Sequence, residues 1–156
     1  MDPRARELFE EAFEHHKRGE FQRAIELYQA SIDACPSAEA YTFMGWAYSH
    51  MGDLERAIEL CQKAITTDPD FGNPYNDIGA YLIQMGRAEE AIPWLERATE
   101  ASRYESPQFP HMNLGRVYLR QHNYQEAARS FERALEIDPN YRPARVQLAR
   151  LRAMFN

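Results

Sequence analysis

Five histidines are the side chains best suited to chemistry in this sequence, as metal ligands or proton carriers, and their spacing argues against both uses. His15 and His16 are consecutive, so on a helix they point to different faces. His16 and His50 are placed to approach each other on neighbouring helices, but no cysteine or carboxylate stands at ligand spacing beside them, so no metal is expected. The carboxylate pairs Glu10–Glu11 and Glu89–Glu90 are adjacent and do not converge, which suits surface charge rather than acid–base work. Cys61 falls in an apolar helical stripe and Cys35 directly precedes Pro36, the pattern of reduced, structural thiols. No glycine-rich phosphate loop, G-x-S-x-G elbow or H-E-x-x-H helix is present, so neither an enzyme nor a cofactor is expected.

What remains is binding, and composition narrows the partner. The net charge is −6 and no lysine or arginine run occurs, which disfavours nucleic acid. Glu55, Glu59, Glu89, Glu90, Glu126 and Glu132 recur at helical spacing, as on a solvated outer face. No apolar run approaches the roughly 20 residues of a membrane span, and MDPRARELFEEAFEHHKRGE is too charged for a signal peptide. A cytoplasmic protein that does not enter the membrane is the expectation.

The elements that would carry a binding surface repeat along the chain. Ala24, Ala57, Ala91 and Ala127 are separated by 33, 34 and 36 residues. The same offsets relate Ala12, Gly45, Gly79 and Gly115, then Tyr28, Cys61, Leu95 and Phe131, then Ser31, Ala64, Ala98 and Ala134. Each unit reads as two helices joined by a tight turn at Gly19, Gly52 and Gly86, with Asn123 one residue past the fourth such place. The small columns let paired helices approach closely, while the Tyr28–Phe131 column is expected to fill the space between units. Pro36, Pro69 and Pro139 stop the second helices. The third unit departs twice. Arg103 replaces the stopping proline before a longer link, a packing adjustment, and Pro93 inside the second helix implies a lost hydrogen bond and a mild kink.

MGWAY, IGAYL and LGRVY resemble the first helix of the tetratricopeptide repeat, and RAIEL, EAIPWL and EAARSF its second. The resemblance runs from about Ala5 to Pro139. It implies an all-α, right-handed solenoid forming one domain over 1–156. The repeats would cover approximately 5–37, 38–71, 72–107 and 108–141, and a capping helix 142–155 would bury a stripe of Val146, Leu148, Leu151 and Phe155.

The resemblance also implies a concave groove lined by the first helices. Its lining residues would be Phe9, Phe13 and His16, then Phe43, Trp46 and His50, then Asn76 and Ile83. Phe109, Met112, Arg116 and Arg120 follow, with Arg150 from the cap; Asp77 also falls on this face. Members that dock acidic chaperone tails use a clamp of lysine, asparagine and arginine. The matching places here hold Phe9, Phe13, Phe43, Asn73 and Asp77, which argues against that ligand. An apolar or amphipathic segment of another protein, its acidic end near the arginines, is expected instead, with self-association as the competing use. FERALEIDPNYRPARVQLARL and the long link are similar to pilus-biogenesis repeat lipoproteins, although their leader cysteine is missing here; a secretion or pilus-assembly chaperone is therefore the alternative to a general scaffold.

Overall fold

The computed structural model describes all 156 residues and holds nine α-helices. Four hairpins follow one another: α1 (Pro3–Lys17) with α2 (Phe21–Ala34), α3 (Ala38–His50) with α4 (Leu54–Thr67), α5 (Asn73–Gln84) with α6 (Ala88–Glu100), and α7 (Gln108–Arg120) with α8 (Tyr124–Ile137). A ninth helix, α9 (Arg142–Met154), packs on α8. The fold is an all-α helical repeat. Helix starts are fixed by side chains that accept orphan amides: Asp2 from Ala5, Ser37 from Ala40, Asp53 from Arg56.

Every hairpin turn closes the same way. The amide just beyond the turn reaches back five residues, from Glu20 to His15, Asp53 to Tyr48, Arg87 to Leu82 and Asn123 to Tyr118. That closure needs one left-handed residue, and Gly52 supplies it at φ 86°. In the fourth hairpin His122 takes this conformation, at φ 57°. Asn123, the residue favoured on sequence grounds, instead caps α8 by accepting from the Glu126 amide. Its side-chain carbonyl is used to better effect there, since a histidine tolerates the left-handed region at modest strain.

Inside each hairpin the small columns set the interhelical distance. A Cβ on Gly79 would lie 2.6 Å from Leu95 Cγ, and one on Gly115 would lie 2.7 Å from both Cδ1 and Cζ of Phe131. In the third and fourth hairpins the large column therefore packs onto the glycine of its own hairpin, whereas Gly45 of the second lies against Ala57 and Leu60. Tyr28, Cys61, Leu95 and Phe131 are fully buried, as are Ala24, Ala57, Ala91 and Ala127. α6 runs on past Pro93 to Glu100, with the proline on its exposed side.

Successive hairpins stack through α2 on α3, α4 on α5 and α6 on α7. The first helices also meet in series, α1 to α3 to α5 to α7, so they form the inner side of the stack. α9 follows the same course without a partner helix. It buries Ala144, Leu148 and Leu151; Val146, on the side away from Leu148, is exposed because no further helix covers it, and Phe155, one residue past the helix end, is largely exposed although its ring centroid lies 5.4 Å from that of Tyr124 on α8. No helix is long and apolar enough to cross a membrane.

The link between α6 and α7 is built rather than loose. Arg103 pairs with the link between α4 and α5: its amide donates to the Asp70 carbonyl at 3.0 Å, and the Gly72 amide donates to the Arg103 carbonyl at 3.0 Å. The Arg103 guanidinium bonds Asp68 at 2.5 Å and Glu39 at 2.8 Å, and lies 4.4 Å from the Phe71 ring centroid. Tyr104 covers Gly72 so closely that a Cβ there would meet its ring.

Candidate functional site

The repeat offsets bring Phe13, Trp46, Ala80, Arg116 and Arg150 to equivalent places on successive inner helices. Trp46, Arg116 and Arg150 are exposed, while Phe13 and Ala80 are half-buried. This row is the open surface of the groove, aromatic at one end and basic at the other. The equivalent row of Phe9, Thr42, Asn76 and Met112 lies deeper and forms its floor. Position within a repeat thus assigns a side, and depth is decided by what folds over each residue.

Three residues expected to line the groove sit beneath its surface. Met112 is 2% exposed, because it packs with Phe131 and Leu148 in the core under α9. Asn76 is 7% exposed and accepts a hydrogen bond from Asn113 Nδ2 at 3.0 Å. His16 is 5% exposed at the bottom of the aromatic end. Asn113 Oδ1 in turn accepts from Arg116 at 3.0 Å, so a buried amide pair ties α5 to α7 and aims the arginine. No repeat column predicts the pair; its only sign in the sequence is two asparagines at inner positions of neighbouring units.

The aromatic end is a continuous cluster. Phe43 stands 5.1 Å from Phe9 and 5.7 Å from Phe13, and Trp46 stands 4.6 Å from His16 and 5.3 Å from His50. His50 is exposed and stacks on Phe21 at 4.9 Å, a residue of the first turn of α2 that the inner-helix rows do not include. His16 Nδ1 lies 3.0 Å from the Tyr28 hydroxyl, while its Nε2 has no partner. Burial, with the nearby His50, pushes His16 down to about 4, so it is a neutral aromatic at physiological pH. His16 and His50 do meet, their ring centroids 5.5 Å apart, but no group of three His, Cys, Asp or Glu side chains converges to hold a metal ion. Of the two thiols, Cys61 is buried and pushed well up by desolvation.

Charge is distributed unevenly along the inner face. On the second helices, Arg23, Arg56, Arg129 and Arg133 each pair with a glutamate one turn away, as does Arg87 at the start of α6, while Arg97 pairs with no carboxylate and stacks over Tyr75 and Trp94. Arg116, Arg120 and Arg150 on the inner side pair with no carboxylate; Arg116 touches only the neutral Asn113. Phe109 is 40% exposed beside Tyr141, with ring centroids 5.7 Å apart, and extends the apolar surface to this basic end. Ile83, half-buried, bridges the middle. Asp77, also half-buried, has no cation opposite it, and desolvation pushes its carboxyl up to about 7.

Between α1, α3 and the Arg103 link lies a cleft of about 250 Å³. Phe9, Phe43 and Phe71 line it with apolar surface; Glu39, Asn73, Arg103 and Glu105 provide the polar part.

Sequence comparison places this geometry among known proteins. The tetratricopeptide-repeat profile matches residues 38–71 and 70–140. DnaJ homolog subfamily C member 7 of Mus musculus is 32% identical over 106 residues, which are 68% of this chain and 21% of that protein. Type IV pilus assembly protein PilF of Pseudomonas aeruginosa is 25% identical over 136 residues, 86% of this chain and 54% of that protein. The chain thus spans only part of either relative. The crystal structure of PilW, a widely conserved type IV pilus biogenesis factor, superposes with a TM-score of 0.87 at 20% identity, covering 99% of this chain and 71% of that one.

Proposed function

The chain belongs to the tetratricopeptide-repeat family, whose members are in general protein-interaction scaffolds, and from that premise we propose that it is a non-enzymatic scaffold holding a segment of another protein in its inner groove. The observation that carries this reading is the contrast in charge pairing. On the second helices Arg23, Arg56, Arg129 and Arg133 are each held by a glutamate of the same helix and Arg97 is stacked over Tyr75 and Trp94, whereas Arg116, Arg120 and Arg150 face the groove without carboxylates. Beside them the exposed faces of Trp46 and Phe109 offer apolar anchorage. Aromatic and arginine side chains so placed are the usual anchors of an interface. The segment is apolar or amphipathic, with acidic residues toward α7 and α9, and it acts in the cytoplasm.

A pull-down from lysate with wild type and a Phe13→Ala/Trp46→Ala variant tests this. Both substitutions are at groove positions, so the variant should keep its helical circular dichroism and lose its bound proteins. A folded variant that retains every partner would place binding elsewhere.

A pilus-assembly role is the second reading, favoured by the alignment of the Pseudomonas protein over 86% of this chain. Capture of pilus components by wild type and not by the variant supports it. Their absence from the captured set decides for another assembly.

A further inference from the structure

α9 carries an uncovered face whose residues differ in kind from those at the same places in the hairpins before it. At an offset of 34 residues from α7, Arg145, Ala149 and Arg152 take the places of His111, Gly115 and Tyr118. In the earlier hairpins these places meet the hairpin's own second helix. Gly79 and Gly115 lie against Leu95 and Phe131, Tyr75 stands 6.4 Å from Trp94, and Arg56 lies 5.9 Å from the Tyr48 ring centroid. No second helix lies over α9, and Arg145, Ala149 and Arg152 are all exposed. Arg152 also lines a crevice of about 410 Å³ between α8 and α9, whose apolar walls are Tyr124, Ala128, Leu148, Leu151 and Phe155. The charge on α9 is of one sign. Its charged residues are Arg142, Arg145, Arg150 and Arg152, in a chain whose net charge is −6. Solubility asks only for polar residues of either sign. Arg152 has Glu132 at 3.9 Å, an exposed contact of little strength, and Arg142 and Arg145 pair with no carboxylate.

We propose that this face of α9 is a second docking surface, separate from the groove, which seats an acidic amphipathic helix of another protein where each earlier hairpin has its second helix. Ala149 allows the close approach, as Gly79 and Gly115 do, and a bulky apolar residue of the partner packs on it. Arg145 and Arg152 are seven residues apart, about 10.5 Å along the axis. They meet two carboxylates at the same spacing on the partner, one on either side of its apolar residue. A further apolar side chain of the partner enters the crevice. The arrangement reverses that of the earlier hairpins, where the second helix brings the arginine and the first the ring, as in Arg56 on Tyr48 and Arg97 on Tyr75. A second copy of this chain is therefore disfavoured, because its second helices would bring arginine against arginine.

The test uses the full chain and a synthetic 20-residue helical peptide, its binding followed by fluorescence anisotropy. The peptide carries two glutamates seven residues apart, a phenylalanine between them and leucines on the same face. Arg145→Gln/Arg152→Gln should weaken binding about tenfold at low salt, an effect that shrinks as salt rises. Ala149→Gln keeps a good helix former at an exposed position and should weaken binding about fivefold at every salt concentration, because it holds the helices apart. Phe13→Ala/Trp46→Ala and Arg116→Gln/Arg120→Gln should bind the peptide as wild type does. No binding to wild type, or equal affinity for wild type and both α9 variants, would overturn the proposal. So would loss of binding in the Phe13→Ala/Trp46→Ala or Arg116→Gln/Arg120→Gln protein, which would put the peptide in the groove. Sedimentation of wild type as a dimer that Arg145→Gln/Arg152→Gln makes monomeric would give the face to a second copy and overturn it as well. The groove reading stands or falls separately, on its pull-down.

Discussion

Gly115→Ala should damage the protein more than its size suggests. Gly115 sits mid-way along α7, where alanine is the better helix former by about 1 kcal/mol. A Cβ there, however, would stand 2.7 Å from two ring carbons of Phe131, about 1 Å inside ordinary carbon–carbon contact. Phe131 is fully buried between α7, α8 and α9, with Met112 and Leu148 around it, so the ring has no free volume to move into. Overpacking of this kind costs about 3 kcal/mol at its upper end, leaving a net loss of about 2 kcal/mol. For a chain of this length that is a fall in Tm of roughly 4–8 °C. Urea unfolding followed by circular dichroism measures it. Gly115→Ala/Phe131→Leu supplies the check, since a smaller side chain at 131 should make the alanine harmless. An alanine variant as stable as wild type, with an unchanged denaturant slope, would refute the reasoning. It would show that α7 and α8 can part at no cost, as in the first hairpin, where Ala12 replaces the glycine. Because Asn113 and Arg116 flank this position, the same substitution should also weaken acidic ligands at the basic end of the groove.

Two further predictions concern pH and the link. His16 is held near 4 against an ordinary 6.5, so its contribution is complete above pH 6.5 and is lost as pH falls toward 4, up to about 3 kcal/mol. Asp77, raised to about 7, acts oppositely: its contribution is complete below about pH 4 and is lost as pH rises to 7. Across that window His16→Gln should therefore gain stability on acidification, and Asp77→Asn should lose it more steeply than wild type; melting curves parallel to wild type would refute both assignments. Arg103→Ala removes half-exposed ion pairs and should cost only about 1 kcal/mol overall. Hydrogen exchange at the Gly72 and Arg103 amides should nevertheless rise at least tenfold, and unchanged exchange would mean that the backbone pairing stands without the side chain.

The hairpins were legible in the sequence because each depends on local chemistry repeated at fixed offsets. A glycine mid-helix, an alanine opposite and a left-handed turn are properties of one unit. Depth was not legible. Met112 and Trp46 both belong to inner helices, but Met112 lies over Phe131 and under α9, while nothing in the chain covers Trp46. The exposure of Val146 has the same origin, since its helical spacing says apolar and only the missing neighbour decides what happens to it. His16 reads as a polar residue and behaves as an aromatic one, because Phe21 and Tyr28 of α2 and Trp46 of α3 surround it. The pairing of Arg103 with Asp70 and Gly72 joins residues far apart in the chain, and no local pattern signals it.

That pairing has a mechanical consequence. Helical stacks of this kind act as springs, each junction between neighbours yielding a little under load. Here the two junctions flanking the third hairpin are laced together along one edge, and Glu39 extends the lacing to the second hairpin. Bending at one of the laced junctions is thereby coupled to bending at the other, so the second, third and fourth hairpins yield together along that edge. The segment proposed for the groove would then meet an inner face whose spacing is set in advance over those hairpins, which lowers the loss of receptor freedom on binding.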